Sequence, residues 1–130
     1  MTEAGYKRVF LIGAIWNLVG GAIIVAAASW IFGRSNLQVP SPSVYYYSWI
    51  VLFLSFGIGY YKVYEDMYRN RDIVLIGAIG KSGFAAVFLY FYIAYPGQVP
   101  RFFQIPMIGD LVFVVFFVMF LRFARQRKPA

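Results

Sequence analysis

Four long apolar stretches fill most of this 130-residue chain and limit what it can fold into. They cover residues 9–32, 44–64, 73–95 and 105–121. A helix needs about 20 apolar residues to cross a hydrocarbon core of about 30 Å. Because lipid offers no partners to backbone amides, spanning segments are helices or strands of a closed barrel. The run LVFVVFFVMFL at 111–121 does not alternate as barrel strands do, so helices are expected.

The composition is that of a membrane protein. Hydrophobic residues make up 62% of the chain and charged residues 13%, whereas soluble proteins are about 25% charged. The connections between the stretches are short and contain prolines or polar residues, so neighbouring helices should run antiparallel. The sequence therefore predicts an all-α polytopic membrane protein, with residues 1–130 forming one antiparallel bundle of four transmembrane helices.

The chain has no cysteine and no histidine. Disulfides, thiol redox chemistry, histidine-bound haem and imidazole-bound metals are thereby excluded. The segment GAIGKS at 77–82 lacks the spacing of a phosphate-binding loop and lies within an apolar stretch. We expect no catalytic residue, no metal site and no cofactor, and an enzyme is the least favoured class.

Basic residues predict the orientation of the chain. Only Arg34 and Arg101 flank the stretches on one side, and Lys81 lies inside the third. The other nine lie on the opposite side: Lys7, Arg8, Lys62, Arg69, Arg71, Arg122, Arg125, Arg127 and Lys128. The positive-inside rule places both termini and the middle connection in the cytoplasm. The net charge of +7 thus indicates a lipid bilayer as the partner, and nucleic acid is not expected.

Two features of the first stretch leave alternatives open. Lys7, Arg8 and the alanines at 26–28 could belong to a cleavable signal peptide, which would leave three spans, but the apolar run is longer than a usual signal core. The pentapeptide LIGAI occurs at 11–15 and again at 75–79, each time followed two places later by a polar residue, Asn17 or Lys81. This echo predicts a duplicated helical hairpin, and coincidence among apolar letters is the alternative.

Small residues predict how the helices meet. Gly13, Asn17 and Gly21 share one face of the first helix, and Gly77, Lys81 and Ala85 share one face of the third. Ser48, Ser55 and Gly59 line up in the second. Small side chains let helices approach closely in lipid, so these faces should meet inside the bundle. The Val and Phe surface of the fourth helix is expected to face lipid or another protein.

Three polar residues within the stretches are candidates for function: Asn17, Lys81 and Asp110. At 1.5 Å per residue, Asn17 and Lys81 lie at the same depth, about 12 Å from the inner boundary. Asp110 lies about 8 Å from the outer boundary, which separates it from Lys81 by about 10 Å in height. A direct Lys81–Asp110 ion pair is therefore less favoured than a water-bridged path or two separate sites.

Other partners are expected for the two charges. For Lys81 they are Asn17, Tyr60 or Tyr61, and Glu65, whose side chain leans towards it. A lysine snorkelling to Glu65 is the purely structural alternative. For Asp110, in the first helical turn, the expected partners are Tyr46, Ser48, Arg34 or Arg101. The predicted binding residues are Asn17, Ser55, Tyr60, Tyr61, Glu65, Lys81 and Asp110.

Two short motifs carry a resemblance. Gly77, Gly80 and Lys81 (G-x-x-G-K), followed by the proline-bearing connection and G-D-L-x-F at 109–113, resemble a group of small bacterial membrane proteins. The helix count and hairpin plan are similar to the DoxX-like four-helix superfamily, over the second half of the chain more than the first. The resemblance implies the bacterial inner membrane and a quinone-linked or redox accessory role. The lack of cysteine and histidine argues against a direct redox role.

Two functions are expected from these residues. The first is a module that binds or passes a small ligand, an anion, a lipid head group or a proton through a polar core around Lys81. The second is a non-catalytic accessory subunit of a larger membrane complex, with a membrane-protein partner or a second copy of the chain. The charges within the apolar stretches are the reason for the first function, and the smooth fourth stretch and the short connections are the reason for the second, which is the alternative.

Overall fold

A computed structural model describes residues 1–126 of the chain. Within them it contains five α-helices and one 3-10 turn. The helices are α1 (Glu3–Ala26), α2 (Ala28–Gly33), α3 (Ser43–Glu65), α4 (Arg71–Ala94) and α5 (Gln104–Gln126), and the turn at Arg101–Phe103 leads into α5. The all-α prediction is confirmed. The first apolar stretch is divided at Ala27, so α1 starts six residues earlier than expected and α2 forms a separate short helix.

Three segments of residues 1–126 are long and apolar enough to cross a membrane: Glu3–Ala26, Arg71–Ala94 and Arg101–Gln126. They indicate a membrane protein. The helix α3 has similar length but is not among them, because it carries six tyrosines, two serines between them, and a Lys–Glu pair at its end. A count of four spans therefore does not follow from length and hydropathy alone.

The four long helices pack side by side, and their contacts give their relative directions. Asn17 in α1 lies opposite Phe53 in α3, and Ile24 lies opposite Tyr46. In α1 and α5, Phe10 contacts Phe117 and Tyr6 contacts Phe123, with ring centres 5.7 Å and 5.1 Å apart. Lys81 of α4 contacts Asp110 of α5, and Phe88 contacts Phe103 in the turn just before α5. The helix α1 is thus antiparallel to both α3 and α5, and α4 is antiparallel to α5.

The two ends of the helix assembly differ in charge. At one end, called the basic end, Tyr6 contacts Phe123, and Met67 lies in the same apolar cluster, so Lys7, Arg69 and Arg125 gather there. Arg127 and Lys128, two of the nine residues in the orientation argument, lie outside the described residues. At the other end, called the proline end, Pro40, Pro96 and Pro100 lie in the connections, and the backbone of Arg101 donates to Ser35 Oγ at 3.2 Å.

A tight turn joins α4 to α5 at the proline end. Pro96 and Gly97 occupy its centre, and the Gln98 amide donates to the Tyr95 carbonyl at 3.1 Å. Gly97 has φ +90°, a conformation that suits glycine at the third position of a type II turn. The chain then runs back along α4, where Tyr92 Oη donates to the Pro100 carbonyl at 2.8 Å. Residues 99–103 therefore already lie beside α4 before α5 begins.

The aromatic surface of α5 faces inward, contrary to the sequence-based expectation. Phe113, Phe117 and Phe120 are buried against Tyr6, Phe10 and Tyr60. A Cβ added to Gly13 of α1 would lie 3.4 Å from the Phe113 ring, so this glycine leaves room for one of the α5 rings. Val112, Val115 and Met119 are among the exposed residues of α5.

Candidate functional site

Lys81, Asp110 and Asn17 form one buried cluster, called the polar cluster. The Lys81 ammonium lies 2.5 Å from Asp110 Oδ1 and donates to Asn17 Oδ1 at 3.1 Å. The exposed fractions of Lys81, Asp110 and Asn17 are 5%, 2% and 1%. Lys81 is ten residues from the start of α4 and thirteen from its end, so the cluster lies near the middle of the helix.

The expected separation of Lys81 from Asp110 is wrong, and the turn at Pro96–Gly97 gives the reason. The depth estimate placed the outer boundary at the first residue of the fourth apolar stretch, which left residues 96–104 outside. In the structure residues 99–103 pack beside α4, with Phe103 against Phe88. Asp110 is thereby carried about two helical turns deeper than expected, to the level of Lys81.

The expected partner Asn17 is confirmed, and it joins three helices. Its Oδ1 accepts from Lys81 in α4 and its Nδ2 donates to the backbone carbonyl of Phe53 in α3 at 2.9 Å. Among the described residues, no buried side-chain nitrogen or oxygen lacks a hydrogen-bond partner. Such full pairing is required in a low-dielectric interior, where an unpaired polar group costs several kcal/mol.

Aromatic rings surround the charged pair. The Lys81 nitrogen is 5.3 Å from the ring centre of Phe113, 5.5 Å from that of Tyr60 and 5.9 Å from that of Phe53. Ring faces carry partial negative charge and attract a cation within about 6 Å. The Trp16 side chain lies within hydrogen-bonding reach of the Asp110 carboxylate. The Lys81 ammonium is thus in contact with the faces of aromatic rings, and the Asp110 carboxylate has a second hydrogen-bond donor.

The predicted partner Glu65 does not reach Lys81. It pairs with Lys62 at 2.8 Å on the exposed surface of the same helix, because both lie in the last turn of α3 at the basic end. A lysine snorkelling to Glu65 is therefore not what the structure shows. The expected partners of Asp110 are wrong as well: Tyr46 donates to the Ile24 carbonyl, and Arg34 and Arg101 lie at the proline end.

The remaining predicted residues divide between the site and the surface. Tyr60 is buried beside Lys81 and touches it through its ring. Tyr61 points outward and is 44% exposed. Ser55 is exposed and its hydroxyl donates to the Val51 carbonyl of its own helix. Neither Tyr61 nor Ser55 contributes to the polar cluster.

The inner face of α3 differs from the predicted Ser48–Ser55–Gly59 face. Tyr46, Ile50, Gly57 and Tyr60 are the buried residues instead. Gly57 lies against Asn17, and a Cβ added to Gly77 of α4 would lie 2.5 Å from Tyr60 Oη. The small residues of α1 and α4 face the interior but do not contact each other as expected, because the Tyr60 ring of α3 lies between Gly13 and Gly77.

A cavity of about 130 Å³ adjoins the polar cluster. Asn17, Lys81 and Asp110 form its polar wall. Its apolar walls come from α3 and α4, whose contacting residues are Trp49, Leu52, Phe53, Phe56, Tyr60, Gly77, Gly80 and Phe84. Phe84 follows Lys81 by one helical turn, so its position on the face of Lys81 is expected from the sequence. Trp49 and Trp16 were not expected at the site, and the only sequence signal for Trp16 is that it is adjacent to Asn17.

Two apolar clusters flank the polar cluster along the helix axes. Towards the basic end lie Phe10, Phe117 and Phe120. Towards the proline end lie Ile24, Ile50 and Phe103. Among the residues that line the cavity, Leu52 of α3 and Gly80 of α4 are exposed, so the cavity opens sideways between these two helices.

Comparison with known proteins assigns no family and no function to this site. The chain matches no family model, no curated protein and no solved structure at a significant level. The DoxX-like resemblance stays a prediction.

Proposed function

We propose that all four long helices cross the bacterial inner membrane as an antiparallel bundle, with the basic end in the cytoplasm. Hydropathy alone does not indicate that α3 crosses the membrane. Its packing does, because α3 lies antiparallel to α1 and between helices that are apolar enough to span. Exposed aromatic residues at both ends, such as Trp30, Tyr95 and Tyr61, suit the two membrane interfaces. Most of the exposed surface between them is Ile, Val and Leu, which suits lipid.

The protein's proposed function is to bind a small ligand within the bilayer, at the polar cluster. The observation that carries the proposal is that both buried charges line a cavity. A charged pair inside a membrane is costly, and one kept solely for packing has no need of open space beside it. The lateral opening between α3 and α4 gives a ligand dissolved in the membrane a way in.

The hydrogen-bond inventory of the cluster defines what it can bind. A lysine ammonium has three N–H donors, and Asp110 and Asn17 accept two of them. Asn17 uses its amide on Phe53, and Asp110 also has Trp16 within reach. One Lys81 donor is left, and the charges of Lys81 and Asp110 cancel. The site therefore suits a neutral group that accepts a hydrogen bond, such as a carbonyl or hydroxyl oxygen.

Binding is favoured over passage of an anion or proton. A conducting path needs polar groups or water towards both membrane faces. The two apolar clusters that flank the polar cluster provide neither. The cancelled charge also removes the attraction that a free anion would need.

Lysine NMR of the protein in lipid nanodiscs tests the proposal, with cyclohexanone as the probe and cyclohexane as its hydrocarbon control. We expect a saturable shift of the Lys81 Cε resonance with cyclohexanone only, and none for exposed Lys62. Leu52→Trp should abolish the shift by filling the cavity, because Leu52 lines it. Val51→Trp is the matched control, since Val51 is equally exposed on the same helix. An unchanged Lys81 resonance, or equal shifts with cyclohexane, would remove this function.

An accessory subunit is the second candidate, and a groove between α1 and α5 favours it. This groove encloses about 400 Å³ and is lined almost wholly by apolar residues, including Ile15, Val19 and Ile105. A helix of a partner protein could occupy it. Native mass measurement after extraction in mild detergent tests this role. A monomer that never carries a partner, in extracts where known complexes survive, would argue against it.

A further inference from the structure

A larger apolar groove adjoins the cavity beside Lys81. This groove, called the outer groove, encloses about 560 Å³ between α3, α4 and the connection at the proline end. Trp49, Gly80 and Phe84 line both spaces, so the two adjoin at these residues. The rings of Trp49 and Phe84 lie parallel at 4°, with their centres 5.9 Å apart, and mark the junction.

The walls of the outer groove suit an apolar chain. Val87, Phe88, Val99 and Phe103 supply its surface. Gly83 leaves its floor open, since a Cβ added there would meet nothing within 4 Å. The polar groups of the two spaces lie at opposite ends, with Lys81 at the inner end and Gln98 at the outer end. The shape is that of a long pocket with one hydrogen-bond donor at its deep end.

We propose that the two spaces together bind a membrane amphiphile with a neutral oxygen-bearing head and one apolar chain, the head at Lys81 and the chain in the outer groove. This inference rests on the proposed function and adds the class of ligand. A head that reaches Lys81 must leave the membrane interface. That step costs little for a hydroxyl or carbonyl group but several kcal/mol for an ionised head.

The apolar chain of the ligand contributes to binding through its shape and not through the hydrophobic effect. Membrane lipid is as apolar as the groove, so moving a chain from lipid into the groove yields little beyond close packing. Selectivity therefore depends on the donor at Lys81 and on room in the groove. A hydrocarbon without a head and a fatty acid with an ionised head should both bind less than an alcohol of the same length.

Photolabelling in nanodiscs tests the ligand class. The probes are stearyl alcohol, stearate and octadecane, each carrying a diazirine at mid-chain. We expect the alcohol to label the α4 segment around Val87 and Phe88 several-fold more than the other two. Gly83→Leu should remove that excess because its side chain enters the groove. Ser82→Leu, one residue away on the exposed surface and outside the groove, should retain it.

The cyclohexanone experiment distinguishes failure of the proposed function from failure of the proposed ligand class. A saturable Lys81 shift in both leucine variants, together with alcohol labelling lost only in Gly83→Leu, supports the inference. A Lys81 shift with cyclohexanone but equal labelling by all three chains overturns the inference and leaves the proposed function standing. Absence of both the shift and the selective labelling overturns both.

Discussion

Asn17 and Lys81 occupy the same place after the two LIGAI segments, and their side chains hydrogen-bond each other at 3.1 Å. The glycines of the two segments, Gly13 and Gly77, lie on either side of the Tyr60 ring. The repeat thus places two equivalent polar positions face to face across the interior of the assembly. A duplicated hairpin would have this result, and it remains the prediction that the pentapeptide makes.

Removing the charge of Lys81 or of Asp110 alone should destabilise the protein more than removing both. Lys81→Met or Asp110→Asn alone leaves one buried charge without its partner and should lower the free energy of unfolding by about 3–5 kcal/mol. The double variant should lose much less than the sum of the two single losses. Unfolding in mixed detergent micelles measures the free energy of unfolding of the unaltered protein, the two single variants and the double variant. Additive losses would show that the two groups do not form a pair.

Asn17→Leu should loosen the junction of α1, α3 and α4. It removes the bonds to Lys81 and to the Phe53 carbonyl, and side-chain hydrogen bonds between membrane helices are worth about 0.6–1.7 kcal/mol. We expect a loss of about 1–3 kcal/mol in the same unfolding assay. Ser55→Ala, which removes a bond within the exposed turn of α3, should change little. Equal effects of the two substitutions would contradict the role assigned to Asn17.

Gly77→Ala should be destabilising, because the added methyl group would lie 2.5 Å from Tyr60 Oη and 2.8 Å from its ring. Overpacking of this kind costs about 1–3 kcal/mol. Combining it with Tyr60→Phe should recover part of the loss by removing the nearer atom. Gly83→Ala is the matched control on the same helix, where no atom lies within 4 Å and better helix propensity should leave stability equal or slightly raised. If Gly83→Ala lowered the free energy of unfolding more than Gly77→Ala, the packing of α3 against α4 described above would be contradicted.

The absence of cysteine makes topology directly measurable. Single cysteines at Thr2 and Arg69 should react with an impermeant thiol reagent only after the inner membrane is opened. Cysteines at Ser41 and Gln98 should react in intact spheroplasts. This pattern requires α3 to cross the membrane, since Ser41 and Arg69 lie on either side of it. Labelling of Ser41 and Arg69 from the same side would remove the four-span proposal.

The sequence predicted the helices well and the site in part. Helix bounds agree within a few residues for α3 and α4, because proline, glycine and charged residues mark their ends clearly. Asn17 and Lys81 were expected to meet because they have equal distances from the inner boundary. Asp110 was misplaced because residues 99–103 are apolar and carry no sign that they pack back along α4. Ser55 lies away from the polar cluster because helical spacing does not say which face another helix covers, and Glu65 lies away from it because it is in the last turn of α3, where it pairs with Lys62.

The Lys81–Asp110 pair within the bilayer is the central claim, and solid-state NMR of the protein in liposomes measures it directly. With ¹⁵N-labelled lysine and ¹³C-labelled aspartate, we predict a strong dipolar coupling between Lys81 Nζ and the Asp110 carboxyl carbon, as expected for an ion pair with N–O separation below about 4 Å. The coupling should vanish in Asp110→Asn, whose side chain carries no label. If the unaltered protein shows no coupling, Lys81 and Asp110 are apart in the membrane and the proposed site does not exist.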